Sequence, residues 1–587
     1  MNTLKTTTLL MLSIVGMSLA SCSDSTNDAI STTGQDDYKY VGKEVAGFSA
    51  EEWYPGGKLG TTENVGSTCY EDQTPAIDNA DLYQAFKRGE MLFEHDFTVS
   101  NTAFKGLGPA YVRSSCIACH PSYGHGKRVN SYLGSPSTRD GNGYLLVVYH
   151  PADGLNSDDG PYVSSVTGMP QTCAVEPFLP PVDEKGIDLQ WLSVDKMESG
   201  LAMQFPDGEK FELIYPELSI AKSAFNTSPT PWEEPNTNGA VAFRLESTIG
   251  LYGTGLLDAI SEDDLKAEYQ KQAAQHKAAG RDVKEYLNPA FWDAEKDDWA
   301  GDPTTGVANG AWYKLADGTM KIKRFTYAMT RASLQDGAGA NAMWNIPNVS
   351  RSDRPYLYTT KAWAKAMSEN ADVIAKIKAN PASPYYADGS EEGIKAAVYG
   401  LLDPSTNQFD NEWHKFSPEM SDLDFWQFMV WHRGLAVPRA RDLNDKDVQR
   451  GKEVFNQIGC ASCHRAKWTT GPDNYWAPSP IKSNNLSLPT YPNQTIYPYT
   501  DMLQHRLYMK NGIHGSWCRT TPLWGRGLSR QNTGAEDRLH DCRARNEIEA
   551  IMWHAYSKKS DAYWSAAQFY NLPKADRDAV VKFLRAI

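Results

Sequence analysis

Two copies of the pattern C-x-x-C-H constrain this chain more than any other feature of its sequence. They are Cys116-Ile-Ala-Cys119-His120 and Cys460-Ala-Ser-Cys463-His464. Two thiols at this spacing reach the two vinyl groups of one porphyrin, and the adjacent histidine then binds the iron. The alternatives are a redox dithiol or half a zinc site, but a zinc site needs a second ligand pair nearby, which neither segment has. The pattern predicts two covalently bound haem c groups with His120 and His464 as proximal ligands.

A helix with the same apolar face is predicted before each motif. Its positions, at offsets 0, +3 and +7, are Phe86, Gly89 and Phe93 in one copy and Val448, Gly451 and Phe455 in the other. Such a glycine lets a helix cross closely against the C-terminal helix of a small cytochrome c domain. Pro573 can open that partner helix for the second copy, and Val580, Phe583, Leu584 and Ile587 line one face of it. We therefore expect a mostly α-helical protein with two cytochrome c-like domains, each holding one haem.

The N-terminal residues 1–21 are typical of a bacterial export signal. Lys5 is the only charge, and the apolar run is shorter than the roughly 20 residues that a helix needs to span a bilayer. The run ends in Leu19-Ala-Ser-Cys22, which resembles a lipobox and predicts lipidation of Cys22; an ordinary signal peptide cut near Ala20 is the alternative. We expect a lipoprotein of the bacterial cell envelope, facing the periplasm or the cell surface and touching the membrane only through its lipid anchor.

The composition limits the possible domain organisation and partners of the chain. The chain has 587 residues, 41% of them hydrophobic and 22% charged, which suits a multidomain globular protein. Its 72 acidic residues outnumber 58 basic ones, which argues against a nucleic-acid partner. We predict a signal over 1–21, a tether over 22–50, an N-terminal haem domain with insertions over 51–260, a connecting insertion of mixed α and irregular structure over 261–440, and a C-terminal cytochrome c domain over 441–587.

Five further segments carry a resemblance to a known family. They are Gly56–Thr62, Gly106–Pro109, Gly253–Ile260, Arg519–Gly525 and Leu539–Arg545. Through them the chain resembles the dihaem oxidoreductases, also called thiol oxidoreductases, which are related to bacterial dihaem cytochrome c peroxidases. The last two segments are the most specific, whereas residues 262–320 and 353–415 match less well. The resemblance implies a peroxidase-type oxidoreductase that receives electrons from a donor protein such as another cytochrome.

The resemblance also implies a second ligand for the C-terminal haem. In the dihaem peroxidases a methionine binds that haem fourteen residues after the histidine of a His-Asp-Gly run. Here the run is His540-Asp541-Cys542, and His554 stands at the ligand position. Met552 is the alternative, and it points about 160° away from His554 around a helix. The implied pair is His464 with His554, and replacing methionine by histidine lowers the potential of a haem. The usual donor, a high-potential small cytochrome, is then in doubt.

The N-terminal haem is then the expected reaction centre, because a peroxidase needs one iron with an open position. Its second side is not fixed by the sequence: His150, Met169, Met329 and an open or water-filled position are the candidates. The segment from Tyr499 to His505 resembles another family run. Within it Asp501 and His505 are candidate catalytic proton handlers, with a hydrogen-bonded structural pair as the alternative.

Four cysteines remain, namely Cys69, Cys173, Cys518 and Cys542, and they can pair in three ways. Cys518 and Cys542 flank the family-like motifs of the second haem, and Cys542 stands where the family has glycine. A Cys518–Cys542 disulfide is our first expectation, with Cys69–Cys173 following from it, and free reactive thiols are the alternative.

Besides a peroxidase, the sequence leaves three other functions open: an electron carrier, an oxidase of a protein or iron substrate, and a haem-bearing scaffold.

Overall fold

The computed structural model describes residues 42–99, 106–133, 143–151, 162–234, 241–305, 309–315, 317–333, 341–474, 478–513 and 517–587. The predicted signal, most of the tether and Cys22 lie outside these residues. No helix of the described part combines the length and the apolar character that crossing a membrane requires.

Helices dominate the described residues, so the predicted mostly α class is confirmed. They are α1 Gly57–Gly60, α2 Pro75–Asn79, α3 Tyr83–Glu94, α4 Thr254–Asp258, α5 Glu262–Ala278, α6 Ala342–Asn345, α7 Lys361–Glu369, α8 Ala371–Lys378, α9 Glu391–Leu402, α10 Asp422–Arg433, α11 Lys446–Gln457, α12 Ser479–Ser483, α13 Ser529–Thr533, α14 Glu547–His554, α15 Tyr563–Tyr570 and α16 Lys574–Ala586.

The strands are short and form two-stranded sheets. They are β1 Thr61–Thr62, β2 Ala110–Tyr111, β3 Tyr144–Tyr149, β4 Cys173–Ala174, β5 Ile187–Ser193, β6 Ile214–Ile220, β7 Ala242–Ser247, β8 Trp292–Asp293, β9 Asp298–Trp299, β10 Trp312–Lys314, β11 Met320–Ile322, β12 Val437–Pro438, β13 Trp468–Thr469, β14 Thr495–Ile496, β15 Gln504–His505 and β16 Cys518–Arg519. The pairs are β1–β12, which is parallel, and the antiparallel β2–β4, β3–β7, β5–β6, β8–β9, β10–β11, β13–β14 and β15–β16. The two longest pairs, β3–β7 and β5–β6, share one small apolar core.

Helix α11 crosses α16 at a glycine, as the apolar face predicts. A Cβ atom on Gly451 would lie 2.7 Å from Cβ of Phe583 and would also meet the carbonyl of Ala579, so only glycine allows this approach. Val448 and Phe455 on α11, with Val580 and Phe583 on α16, are buried in the same cluster. Pro573 is the N-cap of α16. This helix pair is the scaffold of the second C-x-x-C-H motif.

Helix α3 makes the same crossing with α10. A Cβ atom on Gly89 would lie 2.5 Å from Cβ of Trp431 and would also meet the carbonyl of Gln427. Phe86 and Phe93 of the predicted face are buried in the cluster that contains Trp431. The partner helix of the first motif is therefore α10, which lies inside the predicted connecting region 261–440.

The remaining chain packs around these two helix pairs. Helices α7, α8 and α9 enclose a separate apolar core. Helix α5 begins at the N-cap Ser261, whose hydroxyl accepts a hydrogen bond from the amide of Asp264. Much of the region between α4 and α10 is turns and loops, as the sequence predicts, and it places one α5 side chain in the functional site.

Candidate functional site

The second motif opens into a large, partly open cavity, where the empty space, with open solvent included, is about 1860 Å³. Its walls include Cys460, Cys463 and His464 from the motif, His554 from the end of α14, and Val580 and Leu584 from α16. Aromatic and arginine side chains complete the walls, and these are Tyr252, Tyr327, Trp524, Arg519, Arg526 and Arg538. A space of this size, with two thiols on one wall, fits a large flat cofactor.

His464 is oriented for metal binding through one ring nitrogen. Its Nδ1 donates a hydrogen bond to the carbonyl of Tyr499 at 3.0 Å, which leaves Nε2 free. Burial lowers the pKa of His464 to about 4, and the charge of His554 adds to this effect. The imidazole is therefore neutral at physiological pH, which is the form that ligates a metal.

His554 shares this arrangement. Its Nδ1 donates to the carbonyl of Ala550 one helical turn earlier, at 2.7 Å, so Nε2 is again free. Burial lowers its pKa below the ordinary value, so this ring is neutral as well. Met552 is fully buried in an apolar cluster, whereas His554 is on the cavity wall. The geometry favours His554 over Met552 as the second ligand, as predicted.

Asp501 and His505 lie together at this same cavity. Nε2 of His505 donates to the Asp501 carboxylate at 2.7 Å, and both side chains are buried. Burial disfavours the charged carboxylate, yet the charge and hydrogen bond of His505 hold the pKa of Asp501 below its usual value. Their polar atoms lie within 4.8 Å of one another and of Sγ of Cys463. The structure thus places the two candidate proton handlers beside the second motif.

Gln272 on α5 is a further residue of this site that the sequence did not indicate. Its side-chain amide donates to the Asp501 carboxylate at 3.0 Å and to Glu268 at 3.0 Å. It comes from the insertion, and a single glutamine in a largely polar helix carries no motif. The insertion is therefore part of the functional site as well as a connection.

The first motif repeats the local geometry of the second. Nδ1 of His120 donates to the carbonyl of Ile249 at 3.0 Å, again leaving Nε2 free. The ring of Phe93 lies 6.1 Å from that of His120 at an interplanar angle of 55°, and Phe455 lies 6.2 Å from His464 at 54°. Burial lowers the pKa of His120 to about 4. Both motif histidines thus offer a free Nε2 in the same way to a group held by the adjacent cysteines.

The thiols of the motifs do not resemble a redox dithiol. Burial raises the pKa of Cys116 to about 12, and burial likewise raises that of Cys460 to about 12. A reactive C-x-x-C pair has at least one thiol whose pKa is lowered, because the thiolate is the nucleophile. The raised pKa values of Cys116 and Cys460 are the opposite of what an attacking thiol of such a pair needs.

Most candidates for the second side of the first site have other partners. His125 is engaged at both nitrogens, by the carbonyl of Gly126 and by the hydroxyl of Tyr327, each at 2.8 Å. His150 contacts Glu234 at 3.3 Å. Met169 is only half-buried, whereas Met329 is buried in the cluster that also contains Cys116. Of the three predicted side chains, Met329 is the one that shares a core with the first motif.

His432 on α10 is a residue of the first site that sequence reasoning missed. It is 2% exposed and stacks on Phe428 with ring centroids 6.2 Å apart. Within the described residues its Nδ1 has no hydrogen-bond partner. Burial lowers its pKa to about 3, and the charge of His120 adds to the effect, so the two imidazoles are near neighbours. Only the recognition of α10 as the partner of α3 could have drawn attention to this histidine.

The remaining cysteines correct one prediction. Cys69, Cys173, Cys518 and Cys542 are all free thiols, so neither the Cys518–Cys542 nor the Cys69–Cys173 disulfide is formed in the structure. Each buried or half-buried sulfur has local neighbours instead. Cys69 accepts from the side-chain amide of Asn532 at 3.3 Å, and Cys173 lies 3.5 Å from the Glu184 carboxylate.

The surroundings of Cys542 explain why its position in the family motif led to a wrong expectation of a disulfide with Cys518. Its sulfur donates to the carbonyl of Gly126 at 3.2 Å and lies 3.1 Å from the hydroxyl of Ser247. Its backbone has a φ of 63°, in the left-handed region that glycine favours. The cysteine thus occupies a glycine-type conformation, and its sulfur contacts Gly126 and Ser247.

One backbone segment joins the two sites. The carbonyl of Ile249 accepts the hydrogen bond from His120 of the first motif, and Ile249 and Gly250 also line the cavity of the second motif. Trp524, which is 1% exposed, lies on the same cavity wall. The two sites are therefore in direct contact through a short, well-packed connection.

Comparison with known proteins identifies part of this arrangement. Residues 413–587 match the model of a family described as "Di-haem oxidoreductase, putative peroxidase". The matched stretch spans α10 to α16 and so contains the second motif, His505, His554 and the helix that pairs with α3. No curated protein matches the chain. The family description is that of an oxidoreductase with two haems.

Proposed function

We propose that this chain, whose residues 413–587 belong to the di-haem oxidoreductase family, is an exported dihaem c oxidoreductase that reduces hydrogen peroxide. The observation that carries the proposal is the duplicated site. Two motif histidines donate Nδ1 to a backbone carbonyl at 3.0 Å, and one segment, Ile249–Gly250, touches both sites. This arrangement suits a reaction centre and an electron-transfer centre that work together.

The residues present fit two covalently attached haems. Cys116 and Cys119 would hold one and Cys460 and Cys463 the other, with His120 and His464 as proximal ligands. The cavity at the second motif would give that haem its space, and the free Nε2 atoms of His120 and His464 would give each iron a ligand. When bound, the haems store electrons and provide the iron at which peroxide is reduced.

The two sides of the C-terminal site assign it to electron transfer. His464 and His554 present free, neutral Nε2 atoms to one cavity. A haem held by both imidazoles would have no open position for a substrate, so we assign this site to electron transfer. The N-terminal site, with His120, is then the place where peroxide binds.

Asp501 and His505 are the proposed proton handlers of the C-terminal site. Their buried ion pair lies beside Cys463, with Gln272 fixing the carboxylate. A charged pair in such a low-dielectric place responds to a change of charge on its neighbour. We assign the pair to compensating the charge of transferred electrons, and we expect no direct contact with peroxide.

The electron donor is proposed to be another protein, such as a cytochrome, that docks at the C-terminal site. Trp564 on α15 is 51% exposed, lies against Gly459 and lines the cavity beside Cys460. An exposed tryptophan next to a cofactor is a suitable contact for a redox partner. The expected lipid on Cys22 would keep the protein on the bacterial cell envelope, facing its donor.

Peroxide turnover by the haem-loaded protein tests this function. We expect peroxide consumption with a reduced donor and, in the half-reduced state, an electron paramagnetic resonance (EPR) signal from one iron with an open position. Two fully low-spin haems in both the oxidised and half-reduced states, with reversible titration and no turnover, would instead identify an electron carrier.

A further inference from the structure

The two helix crossings give a residue-by-residue correspondence between α10 and α16. At Gly89 the contacting positions are Gln427 and Trp431, and at Gly451 they are Ala579 and Phe583. Each pair is four residues apart and makes the same backbone and Cβ contacts. His432 therefore corresponds to Leu584, the next position along each helix.

The environment of Leu584 shows where this position points. Leu584 and Val580, one helical turn earlier, line the cavity together with His464 and His554. Their counterparts on α10 are His432 and Phe428, whose rings stack. By this correspondence His432 lies on the side of α10 that matches the cavity-lining side of α16, and the electrostatic effect of His120 on its pKa agrees with a position beside the first motif.

His432 differs from the histidines assigned as ligands. His120, His464 and His554 each anchor Nδ1 on a backbone carbonyl, at 3.0, 3.0 and 2.7 Å. Nδ1 of His432 has no such partner within the described residues, although the side chain is almost fully buried. A metal-binding histidine nearly always has its second nitrogen anchored. A buried Nδ1 without a partner among the described residues is available to bond to a bound group.

Helix α10 holds the imidazole rigidly in place. Arg433, the next residue, is fully buried and bonds to Asp258 at 3.0 Å and to Asp473 at 2.6 Å. This buried ion triad fixes the end of α10 against two other segments. A catalytic group held on a rigid helix keeps its geometry better than one on a loop.

We propose that His432 is the proton-transferring residue of the N-terminal site, acting by hydrogen bonding to the bound substrate. The inference rests on the proposed function. The imidazole accepts the proton from one oxygen of hydrogen peroxide and delivers it to the other, which leaves as water when the O–O bond breaks. Two electrons from the donor protein and two protons from solvent convert the remaining oxygen to a second water. Such a group contributes about 10²- to 10⁴-fold to a rate.

The test is the variant His432→Leu, which installs the residue that the other domain carries at this position. In the haem-loaded protein we expect unchanged haem content and spin state, but cyanide association with the N-terminal haem at least about 100-fold slower, because hydrogen cyanide must lose its proton on binding. His432→Gln, which keeps a polar group, should retain the fold and leave the rate similarly low. His276→Leu, which removes a histidine on α5, is the matched control and should bind cyanide normally.

The outcomes separate the proposal from the proposed function. Conversion of a low-spin signal to a high-spin one in His432→Leu would show that His432 is an iron ligand, and an unchanged cyanide rate would show that it is outside the pocket; either result overturns the proposal. Slow cyanide binding in the variant, with no peroxide turnover by the unaltered protein, would support the role of His432 while refuting the peroxidase function.

Discussion

The N-terminal and C-terminal halves of this molecule build the same local site from very different lengths of chain. Both cross two helices at a glycine, and both anchor a motif histidine on a carbonyl at 3.0 Å. In the C-terminal half, α11 and α16 are close in sequence. In the N-terminal half, more than three hundred residues separate α3 from α10. The two halves therefore keep the same helix crossing, whereas the segments inserted around each motif differ.

The halves differ most in how the last arginine of each crossing helix is held. Arg433 on α10 corresponds to Arg585 on α16. Arg433 has a fully buried side chain paired with Asp258 and Asp473, whereas the side chain of Arg585 is 45% exposed and pairs with Glu547. The corresponding arginine is thus fully buried between two aspartates in one half and half-exposed beside one glutamate in the other.

The largest predicted effect is the difference in stability loss when each of these two arginines is replaced by leucine. Arg433→Leu leaves two buried carboxylates without their partner, so we expect it to lower the free energy of unfolding by about 3–5 kcal/mol. Arg585→Leu should cost about 1 kcal/mol or less, because this arginine is half-exposed and the buried Glu547 keeps Arg538 as a partner. Chemical denaturation of both variants measures the difference, and equal losses would contradict the comparison.

The second prediction concerns the two crossing glycines. Gly89→Ala and Gly451→Ala each force a Cβ atom into a backbone carbonyl and a neighbouring Cβ, so both should lose about 1–3 kcal/mol of stability. Gly47→Ala is a control, since no atom lies within 4 Å of its added Cβ, although its φ of 79° introduces backbone strain. Thermal unfolding compares them; a neutral effect at Gly89 alone would mean that α3 and α10 do not pack as closely as their counterparts.

The third prediction sharpens the difference between the two irons. His554→Met should raise the potential of the C-terminal haem only, because a methionine ligand favours the reduced iron. A spectroelectrochemical titration should show one midpoint moving and the other unchanged. Met552→Leu is the control and should move neither; a shift in that variant instead would assign the ligand to Met552.

The smallest predicted effect is a pH dependence of the C-terminal cavity. Burial raises the pKa of Asp561, on the cavity wall, to about 6, and the charge of His505 only partly offsets it. Because the folded pKa is higher than the unfolded one, the stabilising contribution is complete below about pH 4 and is lost as pH rises through 6. Asp561→Asn should therefore be more stable, relative to the unaltered chain, above pH 6 than at pH 4. Denaturation at pH 4 and pH 7 measures this, and a constant difference would argue against it.

The features that the sequence predicted are those that depend on residues close together along the chain. The motifs, the glycine-bearing faces of α3 and α11 and the terminal helix α16 follow from spacing along one helix or one short segment, whereas His554 as a ligand was implied by the family resemblance and stays a prediction. The mostly α class follows from the same patterns. Asp501 and His505, four residues apart, also come together as expected, although at the C-terminal site.

What the sequence could not predict depends on contacts between distant residues. The partner of α3 is remote along the chain, and no periodicity of α10 reveals which helix it meets; His432 was overlooked for that reason. Gln272 reaches Asp501 from the insertion in the same way. The predicted disulfides were not found, because cysteine parity says nothing about where each sulfur lies, and local polar atoms surround these four.

The distance between α3 and α10 also bears on how the protein is made. A chain synthesised from its N-terminus presents Cys116 and Cys119 long before α10 exists to close over them. Until then the first motif has no completed helix pair, whereas the second motif waits only for the final helices. If haem is attached to this chain as proposed, the first pair of thiols would stay accessible for most of synthesis, and both sites would close almost together, when the last third of the chain folds.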